Sequence, residues 1–137
     1  MVQEQDIQKK YMEYQALEQH INQLQQQLMA VNEHMHELLS LSESLGQISK
    51  TKPKTNSFSQ LGPGVFIESE IKNTKRLLMN VGANIAVFKS VDEVKSAVEN
   101  QLSEMHNVIN KINSDIEKFT LYHSNLQNEL QGMVSVQ

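Results

Sequence analysis

The amino-acid sequence predicts an α+β fold in which a long antiparallel coiled-coil helical hairpin is joined by two β-hairpins. Two patterns indicate this fold. Apolar residues recur with a seven-residue period near both ends of the chain, and a short glycine-containing pattern occurs twice between them. We therefore expect four segments, which are an N-terminal coiled-coil helix over 1–48, a linker over 49–56, two β-hairpins over 57–89 and a C-terminal coiled-coil helix over 90–137.

The N-terminal helix is predicted by apolar or aromatic residues at the a and d positions of successive heptads. Gln, Glu, Asn and His fill most positions between them, so this stripe is the main surface that the helix can bury. Gly46 suits the position just past a helix end, and Pro53 with its polar neighbours is typical of a linker, so we expect the helix to end in this region. The stripe contains Ile7, Tyr14, Leu17, Ile21, Leu24, Leu28, Val31, Met35, Leu38 and Leu45.

Two stretches in the middle of the chain repeat one pattern: a hydrophobic residue, a glycine-centred turn and a strand with β-branched residues. The first is Leu61-Gly62-Pro63-Gly64-Val65-Phe66-Ile67, and the second is Val81-Gly82-Ala83-Asn84-Ile85-Ala86-Val87-Phe88. Glycine adopts positive φ without steric cost and asparagine is the next most tolerant residue, which suits tight hairpin turns. Each stretch therefore predicts one β-hairpin, with incoming strands over 58–61 and 76–81.

The C-terminal helix is predicted to begin at a capping box, in which the side chains of Ser90 and Glu93 satisfy free backbone N–H groups. Apolar residues then follow at alternating steps of three and four over most of its length. They are Val91, Val98, Leu102, Met105, Ile109, Ile112, Ile116, Phe119, Leu126, Leu130 and Met133. Each helix has about 44 residues and extends about 66 Å, so we expect the two to fold back antiparallel and bury their stripes together.

The antiparallel arrangement predicts a register, although it does not make that register unique. Pairing residues whose numbers add to 140 leaves neither helix overhanging and places an a position opposite a d position, as in the pair Ile21 and Phe119. A slip of one heptad preserves the same alternation. In the first register the polar Lys10 and His123 enter the stripe near the chain ends, His123 opposite Leu17, so we expect the helices to be held more loosely there.

Composition and charge argue against several classes of function. A net charge of −4 provides no positively charged face for nucleic acid, and the absence of cysteine removes thiolate metal sites and thiol nucleophiles. No apolar run approaches the roughly 20 residues that span a bilayer, so we expect a cytoplasmic protein with no membrane partner. His34 and His36 diverge on their helix, and residues 62–64 precede a strand, not a phosphate-binding helix. We therefore predict no enzyme activity, no catalytic or metal-binding residue and no cofactor.

The two hairpins are expected to mediate oligomerisation. Isolated hairpins are marginally stable, and their unpaired edges invite pairing with another chain. The alternative is that the chain's own linker covers these edges, but that linker is mostly polar. The residues expected at the oligomer interface are Leu61, Val65, Phe66, Ile67, Leu77, Leu78, Met79, Val81, Ile85 and Val87.

The succession of heptad helix, two glycine-turn hairpins and heptad helix resembles the alpha class of prefoldin, as found in archaea. The resemblance covers essentially the whole chain and is most specific at 61–67 and 80–87. It implies a hexamer of two alpha and four beta subunits whose hairpins form a shared β-barrel body, from which six coiled coils extend. It also implies ATP-independent capture of unfolded client proteins at the coiled-coil tips and their delivery to a group II chaperonin. Two hairpins, where the beta class has one, indicate the alpha class.

Client binding by such a chaperone requires adaptable apolar surface, which the two chain ends supply together. The candidate client-binding residues are Ile7, Tyr11, Met12, Tyr14, Leu126, Leu130, Met133 and Val134. Ile7, Tyr14, Leu126 and Leu130 also fit a purely structural role in the stripe. We expect Lys10 and His123 to weaken this end, so that the helices separate and offer stripe residues to a client.

A different class of function is compatible with the same heptads. A structural coiled-coil spacer or adaptor in a multi-subunit complex would also have two long paired helices. It would hold two partners at a fixed distance and would not suppress the aggregation of an unrelated unfolded protein. A nucleic-acid-binding role is a third and weaker alternative, because the lysines near the hairpins suit the solvation of turns and edges.

Overall fold

The computed structural model describes residues 4–135 and contains two long helices and four strands. The predicted segments 1–48 and 90–137 include residues 1–3 and 136–137, which lie outside the described residues. The predicted α+β class of two long helices joined by two β-hairpins is confirmed. The elements are α1 (Glu4–Lys50), β1 (Thr55–Gly62), β2 (Val65–Ile71), β3 (Arg76–Gly82), β4 (Ile85–Ser90) and α2 (Val91–Ser135).

Helix α1 continues past Gly46 to Lys50, so the expectation that Gly46 lies just past the helix end is wrong. Leu45 is almost completely buried and Ile48 is half-buried, and their burial favours another helical turn by more than the roughly 1 kcal/mol that glycine costs inside a helix. The hydroxyl of Thr51 donates to the Gln47 carbonyl at 2.8 Å, which satisfies one of the last carbonyl groups of the helix. The connection to β1 is therefore only residues 51–54.

The four strands form two separate antiparallel hairpins, hairpin 1 (β1–β2) and hairpin 2 (β3–β4). Both ladders shift register at the same place, so Leu61 and Val81 are the extra residues of two equivalent β-bulges. The turn of hairpin 1 is Pro63-Gly64, with Gly64 at φ 72°. In hairpin 2, Ala83 and Asn84 have φ of 51° and 60°, the two positive values that a type I′ turn requires.

The chain divides into two compact units, and each has its own buried residues. The terminal unit contains the described residues up to Met35 and from Glu104 onward, and the hairpin unit is His36–Ser103. The core of the terminal unit contains Leu24, Ile112 and Leu126. The core of the hairpin unit contains Leu38, Leu45, Val91, Val94 and Val98. All predicted stripe residues of both helices are buried or half-buried, and we call this set of positions the seam.

Three contacts define how the helices meet in the terminal unit. His20 packs edge-on against Phe119 with ring centroids 4.8 Å apart, one position from the predicted pair Ile21 and Phe119. Tyr14 stacks on His123, where the predicted register placed Leu17. Together with the ion pair between Lys10 and Glu129, these contacts give an antiparallel helix pair close to the predicted register.

Candidate functional site

The terminal unit contains an apolar groove with a volume of about 450 Å³, which we call the terminal groove. It lies where the first three turns of α1 meet the last turns of α2. None of its lining residues carries a charge. They are Ile7, Tyr11, Tyr14, Gln127, Leu130, Gln131 and Val134.

Helical spacing explains why these residues share one groove. Ile7, Tyr14 and Leu130 occupy seam positions and are half-buried, whereas Tyr11 and Val134 flank the seam and are 51% and 61% exposed. Tyr11 and Tyr14 are three residues apart, so they share a helix face, and their rings stack with centroids 6.4 Å apart. The groove thus has a half-buried floor of Ile7, Tyr14 and Leu130 and an exposed side formed by Tyr11 and Val134.

Five of the eight candidate client-binding residues line this groove and three do not. Leu126 is only 4% exposed and belongs to the core of the terminal unit. Met12 is 69% exposed but lies outside the lining of the groove. Met133 lines a different concavity, whose other lining residues are charged: Asp6, Lys9, Lys10 and Glu13.

The seam beside the groove contains the two polar residues that were expected to weaken it. The ring of His123 stacks on Tyr14 with centroids 4.1 Å apart, and its Nε2 is buried without a hydrogen-bond partner among residues 4–135. Such an atom is costly because it has lost its water without replacement. Lys10 is in a different situation, since its Nζ lies 2.7 Å from Glu129 Oε2, and this hydrogen-bonded carboxylate raises the pKa of Lys10.

Sequence reasoning missed the two amides of the groove, Gln127 and Gln131. They lie four residues apart and therefore on one helix face, but glutamine is frequent throughout the chain and carries no periodic signal. The one available signal was that each follows a seam residue directly, Leu126 or Leu130, and so lies beside the seam on the helix surface. The groove is therefore neutral, and these two residues extend its lining along α2.

The second candidate site is the surface of the hairpins. Seven of the ten residues predicted at the oligomer interface are at least half exposed, and Leu77, Met79 and Val87 are half-buried. The prediction missed Phe58 and Phe88, which are 67% and 60% exposed. The available signal was their size and place, because both are large apolar residues inside strands that the sequence predicts. The exposed members of the predicted set are Leu61, Val65, Phe66, Ile67, Leu78, Val81 and Ile85.

Residues 4–135 contain no group of three or more His, Cys, Asp or Glu side chains that could hold a metal ion. In the same part of the chain, neither α1 nor α2 is long and apolar enough to cross a membrane.

Comparison with known proteins identifies relatives over almost the whole chain. A family model described as prefoldin subunit matches residues 4–135. The prefoldin subunit alpha of Archaeoglobus fulgidus is 25% identical over 130 residues, which are 95% of each chain. The prefoldin subunit alpha of Methanococcus vannielii is 25% identical over 126 residues, covering 92% of this chain and 84% of the relative.

A solved structure supports the same fold. A chain in the cryo-EM structure of filamentous PFD from Methanocaldococcus jannaschii superimposes with a TM-score of 0.73. It covers 89% of this chain and 98% of its own length at 14% sequence identity. At this identity the similarity concerns the arrangement of two helices and two hairpins.

Proposed function

Since the chain belongs to the prefoldin family and is a chaperone subunit, we propose that it holds unfolded polypeptides in the terminal groove. Capture is ATP-independent, because it requires only apolar contact. The hairpins assemble this chain with a second alpha subunit and four beta-class subunits, and the cytoplasmic complex passes its clients to a group II chaperonin. No step of this function requires a cofactor or an active site.

The terminal groove is the observation that carries the proposal. A chaperone that accepts many sequences needs apolar surface that stays exposed and can adapt to different side chains. The groove combines aliphatic side chains with two tyrosines, whose rings offer large contact area at a small conformational cost. One groove binds weakly, and several copies in one complex add their contacts by multivalency.

A structural spacer is the weaker alternative, because a spacer has no need of an exposed apolar groove at the chain ends. Exposed apolar side chains carry a risk of aggregation, and Tyr11 and Val134 are at least half exposed beside three further apolar residues. Client binding explains why such a surface is present.

The proposal is tested by suppression of aggregation. The chain is assembled with beta-class subunits, and light scattering follows a chemically unfolded test protein as it is diluted into buffer. We expect the wild-type complex to suppress aggregation and the double variant Tyr11→Ser/Val134→Ser to lose most of this effect. Both substituted residues are exposed, so the fold is retained.

Met29→Ser/Leu121→Ser is the matched control. These residues are 72% and 64% exposed, lie in the same unit and do not line the groove. If the control loses as much activity as the groove variant, client binding is not localised in the groove. If the wild-type complex suppresses no aggregation, the spacer function is favoured.

A further inference from the structure

Charge is distributed unevenly around the helix pair of the terminal unit. Residues seven positions apart lie on one line along a helix with heptad packing. Glu4 and Glu18 are therefore on the same line of α1 as Tyr11, and all three side chains are exposed. On α2, Glu117 lies fourteen residues before Gln131 and so on its line. We call the side of the helix pair that contains these two lines and the terminal groove the groove side.

The lysines of the terminal unit all lie away from the groove side, and the unit contains no arginine. Lys9 and Lys10 line the charged concavity, which is separate from the terminal groove. Lys118 lies eleven residues, about three turns, before Glu129, and so on the same side of α2 as the ion pair of Lys10. Lys111 is seven residues before Lys118 and shares its line. The groove side therefore has carboxylates and no basic residue.

The three carboxylates of the groove side are available to a bound molecule. Glu4, Glu18 and Glu117 are exposed, and none of them forms an ion pair within the described part of the chain. Glu4 and Glu18 are about 21 Å apart along α1, and the α1 residues of the groove lie between them. Glu117 lies near the Glu18 end, because Phe119, two residues after it, contacts His20, two residues after Glu18. A segment bound along the groove therefore meets apolar surface in its middle and carboxylates at both ends.

The surface of the groove favours a helical occupant. An extended segment buries backbone N–H and C=O groups that need partners, and leaving them unpaired is costly. The terminal groove offers an almost entirely apolar surface, even where Gln127 and Gln131 line it. A helix satisfies its own backbone groups and places apolar side chains in such a groove at steps of three and four. Ile7, Tyr11 and Tyr14 have the same spacing, so a bound helix can pack beside α1 and α2 as a third helix.

We propose that the terminal groove selects client segments that form an amphipathic helix with an uncharged apolar face and lysine or arginine at both ends. Charge complementarity identifies this client, because the groove itself is uncharged and its side of the helix pair has only carboxylates around it. The same carboxylates repel segments with acidic ends, which adds specificity to apolar contact. This inference rests on the proposed holding of unfolded polypeptides in the groove, and it specifies the chemistry of the client.

Three labelled peptides of about 18 residues, long enough as helices to span about 27 Å, test the inference. The first forms an amphipathic helix of leucine, alanine and glutamine with two lysines at each end. The second has glutamates in place of the lysines, and the third has the composition and ends of the first but alternates apolar and polar residues. Fluorescence anisotropy measures their binding to the full-length chain at about 50 mM salt.

We expect the first peptide to bind at least about tenfold more tightly than either of the others. Its advantage over the second should shrink at about 500 mM salt, because salt screens exposed charges. Glu4→Gln/Glu18→Gln should still bind the first peptide but lose most of the preference for basic over acidic ends. Asp6→Asn/Glu13→Gln is the matched control, since it removes two exposed carboxylates from the same turns of α1 beside the charged concavity, and it should keep the preference.

Circular dichroism confirms that every variant retains its helices. The inference is overturned if the second or third peptide binds as tightly as the first, if the chain binds none of them, or if the control loses the preference as fully as Glu4→Gln/Glu18→Gln. Binding of the first peptide that survives in Tyr11→Ser/Val134→Ser also overturns it, because the peptide is then outside the groove. The proposed function is judged separately, by suppression of aggregation in the assembled complex, and it stands if all three peptides bind equally in the groove.

Discussion

Replacing His123 by leucine should stabilise the terminal unit, because the imidazole has a buried nitrogen that finds no partner among the described residues. An unsatisfied buried polar atom costs about 1–3 kcal/mol, and leucine removes this cost while it keeps an apolar side chain in the seam. The substitution also loses the ring stack with Tyr14 at 4.1 Å, and such pairs are worth about 0.5–1.5 kcal/mol. The net expectation is a gain of about 1 kcal/mol.

Thermal unfolding followed by far-ultraviolet circular dichroism measures this gain at neutral pH and fixed chain concentration. For a chain of this length, about 1 kcal/mol corresponds to a rise in Tm of about 4 °C. His20→Leu is the matched control, because His20 also contacts an aromatic ring, Phe119, but is exposed. Its effect should stay within about 0.5 kcal/mol. A His123→Leu chain that is no more stable than the wild type refutes the reasoning.

The same variant tests how the seam and the groove are connected. Tyr14 belongs to both, since it stacks on His123 and also lines the terminal groove. If the helices separate locally to offer seam residues to a client, the more stable His123→Leu complex should suppress aggregation less well than the wild type. Equal or better suppression would show that the groove binds clients without opening.

Three further predictions follow from local features of the structure. Ala83→Asn should stabilise hairpin 2 by about 1 kcal/mol and so slow its amide hydrogen exchange, because φ of 51° is costly for alanine and better tolerated by asparagine; unchanged or faster exchange would contradict this. Leu126→Ala should lower the free energy of unfolding in urea by about 2–5 kcal/mol, whereas Leu121→Ala, at an exposed position, should change it by less than about 0.5 kcal/mol. Glu129→Gln should cause a small loss of stability at low ionic strength that vanishes in high salt. Glu129 raises the pKa of Lys10. The stability that this ion pair contributes should therefore be complete below the ordinary lysine pKa of 10.5 and disappear as the pH rises through the raised pKa. If Glu129→Gln loses the same stability at all pH values, the ion pair is not the cause of the loss.

Much of the fold could be predicted because its signals are local. A heptad pattern commits a segment to one buried stripe, and the stripe residues predicted on both helices are indeed buried or half-buried. Glycine and asparagine at 62–64 and 82–84 restrict the backbone to tight turns, and both turns form there. The error at Gly46 shows where local reasoning fails, because burial of Leu45 and Ile48 outweighs the helix-ending tendency of glycine.

The candidate groove could be predicted only in part. Proximity of the two chain ends follows from antiparallel pairing, so Ile7, Tyr11 and Val134 were correctly expected to lie near one another. The separation of Met133 from the groove depends on the side of the helix pair to which each side chain points, which requires the relative rotation of the two helices. The two glutamines of the groove were missed because glutamine is frequent throughout the chain and gives no periodic signal.

The sequence by itself determined the elements of this protein, which are two heptad helices and two glycine-turn hairpins. These elements depend on periodicity and backbone conformation, which residues close together in the sequence determine. The tertiary structure decided which apolar residues remain exposed and which partners the polar seam residues find. It placed His123 on Tyr14 and Lys10 beside Glu129, because these contacts join residues more than a hundred positions apart, and only the packed helix pair brings them together.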